Sequence, residues 1–527
     1  MGVDQPYLSR RQNWITQLER HALMQPDATA LRFKGRTITW TQLDGRVTAL
    51  AGALHRRGVG SGDRVMILML NRPEFIEATL AANRLGAIAV PVNFRLTVPE
   101  LAYLVENCGA AVVLTEPALV ALAAGVRDIA SVLATVIVAE ESTAPTDPNL
   151  LGYEDLLAEE GEPAPPIDIP GDSPALIMYT SGTTGHPKGA VLTHANLAAQ
   201  AMTAIYSTGA DIADEVGFIG VPLFHIAGIG GMFPAMTLGT PTVIHPVGGF
   251  DPGDLLDVLA EESVTGLFLV PAQWQAVCAE QQHRPRALSL RRLSWGAAPA
   301  SDTLLHQMAR TFGDVTILAA FGQTEMSPVT CMLLGADAIA KLGSVGRVVP
   351  TVAARIVDEN MRDVPIGEVG EIVYRAPTLM AGYWNNPRAT AEAFAGGWFH
   401  SGDLVRSDAE GYIWVVDRKK DMIISGGENI YSVEVERALT DHPAVGDAAV
   451  FGIPDEKWGE SVKAVVELSS GQEASPEELI AWCKERLAGY KCPRSVEIMV
   501  ELPRNPTGKL LKKDLRKPYW ENRDRAI

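Results

Sequence analysis

A short apolar run, Pro174 to Met178, leads straight into Tyr179-Thr-Ser-Gly-Thr-Thr-Gly-His-Pro-Lys-Gly189, and no other junction narrows the available folds as much. The run has the length and character of a buried strand. Gly182, Gly185 and Gly189 permit a tight backbone with amides turned outward. Thr180, Ser181, Thr183 and Thr184 add hydroxyls, and Lys188 adds a mobile positive charge. That is a cradle for a polyphosphate. It is not the common P-loop, because Pro187 stands before the lysine where glycine is wanted and Gly189 follows where Ser or Thr is wanted.

The surrounding text alternates between two periods. Arg64 to Leu70 reads as a strand, Arg72 to Leu85 as a helix and Ala87 to Val92 as another buried strand. Thr41 is placed to cap a helix running through Leu54, with Gly58 and Gly60 to stop it. Short buried strands alternating with amphipathic helices predict an α/β fold with mostly parallel, helix-covered sheets. Residues 142–172 are rich in Pro, Glu and Asp and read as a surface connection. From Gly343 to Val416 short strands separated by Gly and Pro predict a small β-rich subdomain. Beyond Arg418, helices at Val433–Leu439 and Pro476–Leu487 and strands at Ala448–Ile453 and Val462–Leu468 predict a small α+β domain.

A chain of 527 residues exceeds what one core organises, so two or more domains are expected. A formal charge of -18 argues against nucleic acid as the main partner, while leaving room for a local positive pocket. The five cysteines are scattered without C-x-x-C spacing, which fits a reducing cytoplasm and no disulfide framework. No apolar run reaches membrane-spanning length, and the N-terminus lacks a signal-peptide core. Peripheral membrane contact and a homodimer are left open.

The phosphate loop resembles the signature of the adenylate-forming enzymes: acyl-CoA synthetases, nonribosomal adenylation domains and luciferases. Phe321-Gly-Gln-Thr-Glu325, Ser401-Gly-Asp403, Asp417-Arg-Lys-Lys-Asp421, Gly426-Gly-Glu-Asn429 and Pro506-Thr-Gly-Lys509 follow in that family's order. The resemblance implies a large N-terminal domain, residues 1–417, binding ATP and the acyl substrate. A mobile C-terminal domain, residues 418–527, would turn about a hinge near Lys420.

It also implies roles. Adenylation means attack of a carboxylate oxygen on the α-phosphorus of ATP and departure of pyrophosphate, so Mg²⁺, positive charge and amide donors are needed where charge accumulates. Glu325 is expected to bind Mg²⁺, with Thr180 and Thr324 offering hydroxyls to the metal and the α-phosphate. Asp403 would hold the ribose hydroxyls, and Arg418 ribose or phosphate. Gly296, Ala297 and Ala298, with Phe321 and Gly322, resemble the adenine slot, the ring stacking on the base. Lys509 would bridge carboxylate and phosphate during adenylation. In the second step CoA would meet Gly426, Gly427, Trp458, Tyr490 and Arg494; Cys492 stands where some relatives have a basic residue.

His225, in Pro222-Leu-Phe-His-Ile-Ala-Gly228, corresponds to a residue near the acyl carboxylate. The segment Val221 to Phe233 is otherwise apolar, with no Asp to hold an amino acid's ammonium group. Gly228 and Gly230 are expected to leave space for an aliphatic chain, with Trp274 and Trp295 lining or blocking the tunnel. The expected activity is a fatty-acid–CoA ligase of actinobacterial likeness, using ATP and CoA as cosubstrates. An aryl- or sterol-side-chain-acid–CoA ligase, or an acyl-AMP ligase loading a carrier protein, are the alternatives. A non-catalytic nucleotide sensor is disfavoured by the intact Lys509, Glu325 and Asp403.

Overall fold

The computed structural model describes residues 12–139, 150–180, 187–210, 215–296, 300–335, 337–425, 428–504 and 510–521. The chain divides into two compact units. One comprises Met1–Ala353 with Arg375–Ala395, the other Ala354–Tyr374 with Gly396–Ile527.

The first unit holds two large sheets. In one, the strands Thr29–Phe33, Thr242–Ile244, Gly217–Ile219, Gly266–Leu269, Arg292–Gly296 and Thr316–Gly322 lie side by side in parallel. Antiparallel strands close both ends of that row. In the other, Pro174–Thr180, Ile88–Pro91, Arg64–Leu68, Val112–Thr115, Thr135–Val138 and Leu150–Gly152 run parallel. The apolar composition of these strands follows from burial on both faces: every residue of Ile88–Pro91 and Val112–Thr115 is buried.

Element ends follow local chemistry. The helix expected to start at Thr41 is Trp40–Arg56, capped by Thr39. The Thr39 hydroxyl accepts from Gln42 N at 3.2 Å, and the Gln42 amide oxygen accepts from Thr39 N at 2.9 Å. Trp40, 1% exposed, drew the start forward because its ring is wanted in the core. Gly58, at φ +86, ends the helix as expected; Gly60 is not in the left-handed region. The stretch expected to be a plain connection up to Asp172 carries the edge strand Leu150–Gly152 and the helix Tyr153–Ala158. Tyr153, fully buried, donates to Glu77 Oε2 at 2.7 Å.

In the second unit, Ala353–Val357, Gly370–Arg375, Phe399–Ser407 and Ile413–Arg418 form a four-stranded sheet. A further sheet places Gly459–Leu468 between Val445–Asp455 and Ser495–Met499. The helices Ser432–Thr440 and Pro476–Lys484 bury Val435, Leu439, Leu479 and Cys483 in that sheet's core. Among the described residues no helix is long and apolar enough to cross a membrane.

Candidate active site

Thr180 ends the strand Pro174–Thr180, and Lys188 begins its antiparallel partner Lys188–Thr193, directly opposite. Gly189 is needed because a Cβ there would meet Ile177 Cγ2 at 2.7 Å and the Tyr179 ring at 3.3 Å. Ser181, Gly182, Thr183 and Thr184 lie outside the described residues. The Lys188 ammonium sits 5.2 Å from the centre of the Tyr383 ring. The Tyr383 hydroxyl in turn donates to Glu325 Oε1 at 2.9 Å. One tyrosine therefore joins the phosphate-loop lysine to the expected magnesium carboxylate. Sequence reasoning missed Tyr383, which reads as part of an ordinary Gly- and Pro-bounded turn, Gly382-Tyr-Trp-Asn-Asn-Pro387.

Thr324 and Glu325 form the turn Thr324–Met326, just past the end of strand Thr316–Gly322; both are buried. The Glu325 carbonyl accepts from Met380 N at 2.8 Å, which pins the turn. Gly296 lies opposite Ala320 in the parallel pair that sets Phe321 beside it. A Cβ at Gly296 would strike the Ala320 carbonyl, and one at Gly322 the Pro328 carbonyl. Gly296 and Gly322 thus stand at the carboxyl ends of neighbouring parallel strands, where ligands gather in such sheets. Ala297 and Ala298 lie outside the described residues.

A hard carboxylate and nearby hydroxyls suit Mg²⁺, which takes few protein ligands and keeps waters and phosphate oxygens. Among the described residues no group of three or more His, Cys, Asp and Glu stands close enough to hold a metal ion.

His225 caps the short helix Ile226–Ile229, its Nδ1 accepting from Ala227 N at 3.2 Å. The preceding Phe224 meets Phe94 edge-on, with ring centres 5.4 Å apart. At the two glycines expected to border the acyl chain, a Cβ at Gly228 would strike the Pro222 carbonyl, and one at Gly230 the Ile226 carbonyl. Glycine at both positions allows this close backbone approach. Trp274 is a core residue, fully buried, donating to Ser294 O at 2.9 Å and packing edge-on against Phe312. Trp295, 6% exposed, precedes Gly296, and its indole N–H has no partner among the described residues.

In the second unit Asp403, 2% exposed, lies opposite Arg418 and accepts from its Nε at 2.5 Å. Its turn is fixed by Glu371, whose carboxylate accepts from Gly402 N at 3.0 Å, from Lys419 Nζ at 3.2 Å and pairs with His400 Nδ1 at 3.1 Å. Burial would raise the Glu371 carboxyl, but its bond to His400 and the charge of Lys419 hold it below its usual range. Trp458 is half-buried, flanked by the Lys457 ammonium at 4.6 Å and the Arg494 guanidinium at 5.4 Å. Tyr490 is 48% exposed. Two of the expected CoA residues, Trp458 and Arg494, are thus together, and neither aromatic is core. Gly426, Gly427 and Lys509 lie outside the described residues.

A largely buried charge cluster sits beside the expected hinge. Lys512 Nζ lies 2.6 Å from Glu436 Oε1 and donates to Ser432 Oγ at 2.8 Å. Ser432 Oγ donates to Asp417 Oδ1 at 3.1 Å and Ser432 N to Asp417 Oδ2 at 2.5 Å. Burial pushes Glu436 up to about 7, against the lowering effects of Lys512 and the Val450 N–H; Asp417 adds to the rise. Burial likewise raises Asp417, and Lys512 is held above its ordinary value by Glu436 and Asp417 despite desolvation. With a folded value near 7 and an ordinary value of 4.5, the contribution of Glu436 to stability is present at low pH and lost as pH rises through 7. The melting temperature of the second unit should therefore fall from about pH 5 to about pH 7 and level off above that. Glu436→Gln should flatten that fall, as read by circular dichroism; an unchanged slope would place the proton elsewhere.

A family model for AMP-binding enzymes matches residues 18–384, and one for the AMP-binding enzyme C-terminal domain matches residues 434–509. A feruloyl-CoA synthase of Amycolatopsis sp is 40% identical over 505 residues, covering 95% of this chain and 98% of that protein. The long-chain-fatty-acid–CoA ligase FadD13 of Mycobacterium tuberculosis is 35% identical over 488 residues, covering 92% and 93%. The solved o-succinylbenzoate CoA synthetase of Bacillus subtilis, in complex with its acyl-adenylate intermediate, superposes with a TM-score of 0.84 at 31% identity, covering 96% and 98%. The same synthetase has been solved with ATP and magnesium ion.

Proposed function

The chain belongs to the AMP-binding enzymes, and on that premise we propose that it joins an aromatic carboxylic acid of the arylpropenoate type to CoA. It is an acid–thiol ligase of the AMP-forming kind. The observation that carries the choice of acid is the 40% identity to a feruloyl-CoA synthase along nearly the whole of both chains, against 35% to a long-chain-fatty-acid ligase. The Phe94–Phe224 pair beside His225 supports a flat ring, which stacks edge or face on aromatic neighbours.

The chemistry follows from the residues. The acid's carboxylate oxygen attacks the α-phosphorus of ATP, the P–O bond to pyrophosphate breaks, and an acyl-adenylate forms. Lys188 and the hydroxyl of Thr180 face the charge that builds on the phosphates. Mg²⁺, when bound at Glu325, would neutralise phosphate charge and polarise the P–O bond. Tyr383 holds the Glu325 carboxylate in place while its ring seats Lys188. The CoA thiolate then attacks the acyl carbon and AMP leaves. Asp403, oriented by Arg418 and by the Glu371-fixed turn, holds the ribose hydroxyls; Lys509 acts in the first step. Trp458 and Arg494 guide CoA.

The reading is tested by pyrophosphate release that depends on ATP and CoA, across carboxylates from short to long chains, with benzoates, arylpropenoates and sterol acids included. Highest kcat/KM for an arylpropenoate is expected; highest for a long aliphatic acid overturns the choice of substrate. For the CoA contact, Trp458→Ala should raise the KM for CoA roughly tenfold, the cost of about one good aromatic contact. Exchange of pyrophosphate into ATP should be unchanged. A fall in both, with a lowered melting temperature, would assign Trp458 to packing.

A further inference from the structure

The expected pivot, Lys420, separates two groups of residues that are bonded to one another. Before it stand Asp403, Asp417 and Arg418; after it stand Ser432, Glu436, Lys512 and Arg516. Bonds run unbroken between the groups: Lys512 to Ser432, Ser432 to Asp417, and, through the next residue of the chain, Arg418 to Asp403. Asp417 and Ser432 are at most 1% exposed. Lys512 begins the helix Lys512–Trp520, three residues beyond Lys509. One turn further along that helix, Arg516 Nη1 donates to the Lys420 carbonyl at 3.4 Å and lies 3.9 Å from Asp421. The helix that follows Lys509 therefore grips the pivot residue and the strand end before it.

We propose that Asp417, Ser432 and Lys512 form a latch across the pivot, holding one of the two working orientations of the C-terminal segment and releasing when that segment turns. This rests on the reading of Lys420 as the pivot and of the enzyme as a two-step ligase. A large rotation at residue 420 cannot keep Ser432 and Lys512 within hydrogen-bond reach of Asp417. The composition of the latch suits a contact that must open. Two carboxyl groups face one ammonium, so the cluster is neutral only with a proton on one of them. Each charged group regains hydration on release, which offsets the lost bonds. An apolar clasp would gain nothing from water. Asp417, Ser432 and Lys512 are positioning residues: they act through the orientation of Lys509 and touch no substrate.

The test compares the two single steps in the full chain: exchange of labelled pyrophosphate into ATP, and acyl-CoA formation from isolated acyl-adenylate. In Lys512→Met and in Asp417→Asn the step served by the latched orientation should slow and the other should hold or quicken. Their ratio should move by roughly tenfold, within the usual range of a coupling between two states. Lys512→Arg should return the ratio toward wild type. Should Lys512→Met fail to fold, Lys512→Met with Glu436→Gln removes both charges and is read in the same way. Equal loss in both steps, or an unchanged ratio, overturns the latch. Lys420→Pro run in parallel separates the two failures. If it leaves both steps intact, the pivot reading falls and the latch with it. If it splits the steps while Lys512→Met does not alter their ratio, the latch alone falls.

Discussion

Lys509→Ala should lower acyl-adenylate formation by roughly 10²- to 10³-fold, the cost of losing one preorganised donor at a developing charge. The same variant should convert a pre-made acyl-adenylate to acyl-CoA at close to the wild-type rate. The reasoning is chemical. In the first step negative charge gathers between the acid's carboxylate and the α-phosphate, and a single cation reaching both stabilises the transition state more than the ground state. In the second step the bond broken is between acyl carbon and adenylate oxygen, and the attacking group arrives from elsewhere. The helix Lys512–Trp520 follows Lys509 closely and is fixed by Lys512 and Arg516. Single-turnover measurement of each step decides the matter, and equal losses in both would remove Lys509 from its special place in adenylation.

The second large effect concerns the pivot. Lys420→Pro should leave pyrophosphate exchange within a few-fold of wild type. It should slow acyl-CoA formation from isolated adenylate by roughly 10²-fold, the scale on which a misplaced group costs rate. Proline fixes φ near roughly -65° and removes a backbone donor, whereas a pivot must sample two backbone conformations. Lys420 follows the strand Ile413–Arg418 and is gripped through its carbonyl by Arg516. Wild-type rates in both steps would move the pivot elsewhere.

Local chemistry was legible and long-range pairing was not. The strand before the phosphate loop and the buried strands within 64–70 and 87–92 could be read because each apolar run and its flanking breakers sit within a few residues of one another. The cap at Thr39 was misplaced by two residues because Trp40 resembles a strand residue until its core site is known. Tyr383 was invisible: its partners Lys188 and Glu325 are 195 and 58 residues away, and no local pattern announces either bond. The cluster of Ser432, Glu436 and Lys512 hid for the same reason, since Lys512 reads as one more lysine in a basic tail. Gly228 and Gly230 were read as room because glycine has no side chain. In the fold that missing side chain also lets the Pro222 and Ile226 carbonyls approach.

The central claim, an aromatic acid joined to CoA, is tested most directly by competition in one vessel. Ferulate, octanoate and palmitate are supplied at equal concentration with limiting ATP and CoA, and the acyl-CoA products are weighed by mass spectrometry. Product ratios then report ratios of kcat/KM free of differences in enzyme activity. Feruloyl-CoA should exceed either fatty acyl-CoA by roughly tenfold or more, the discrimination that a pocket shaped for one skeleton provides. A vessel dominated by octanoyl- or palmitoyl-CoA would contradict the account.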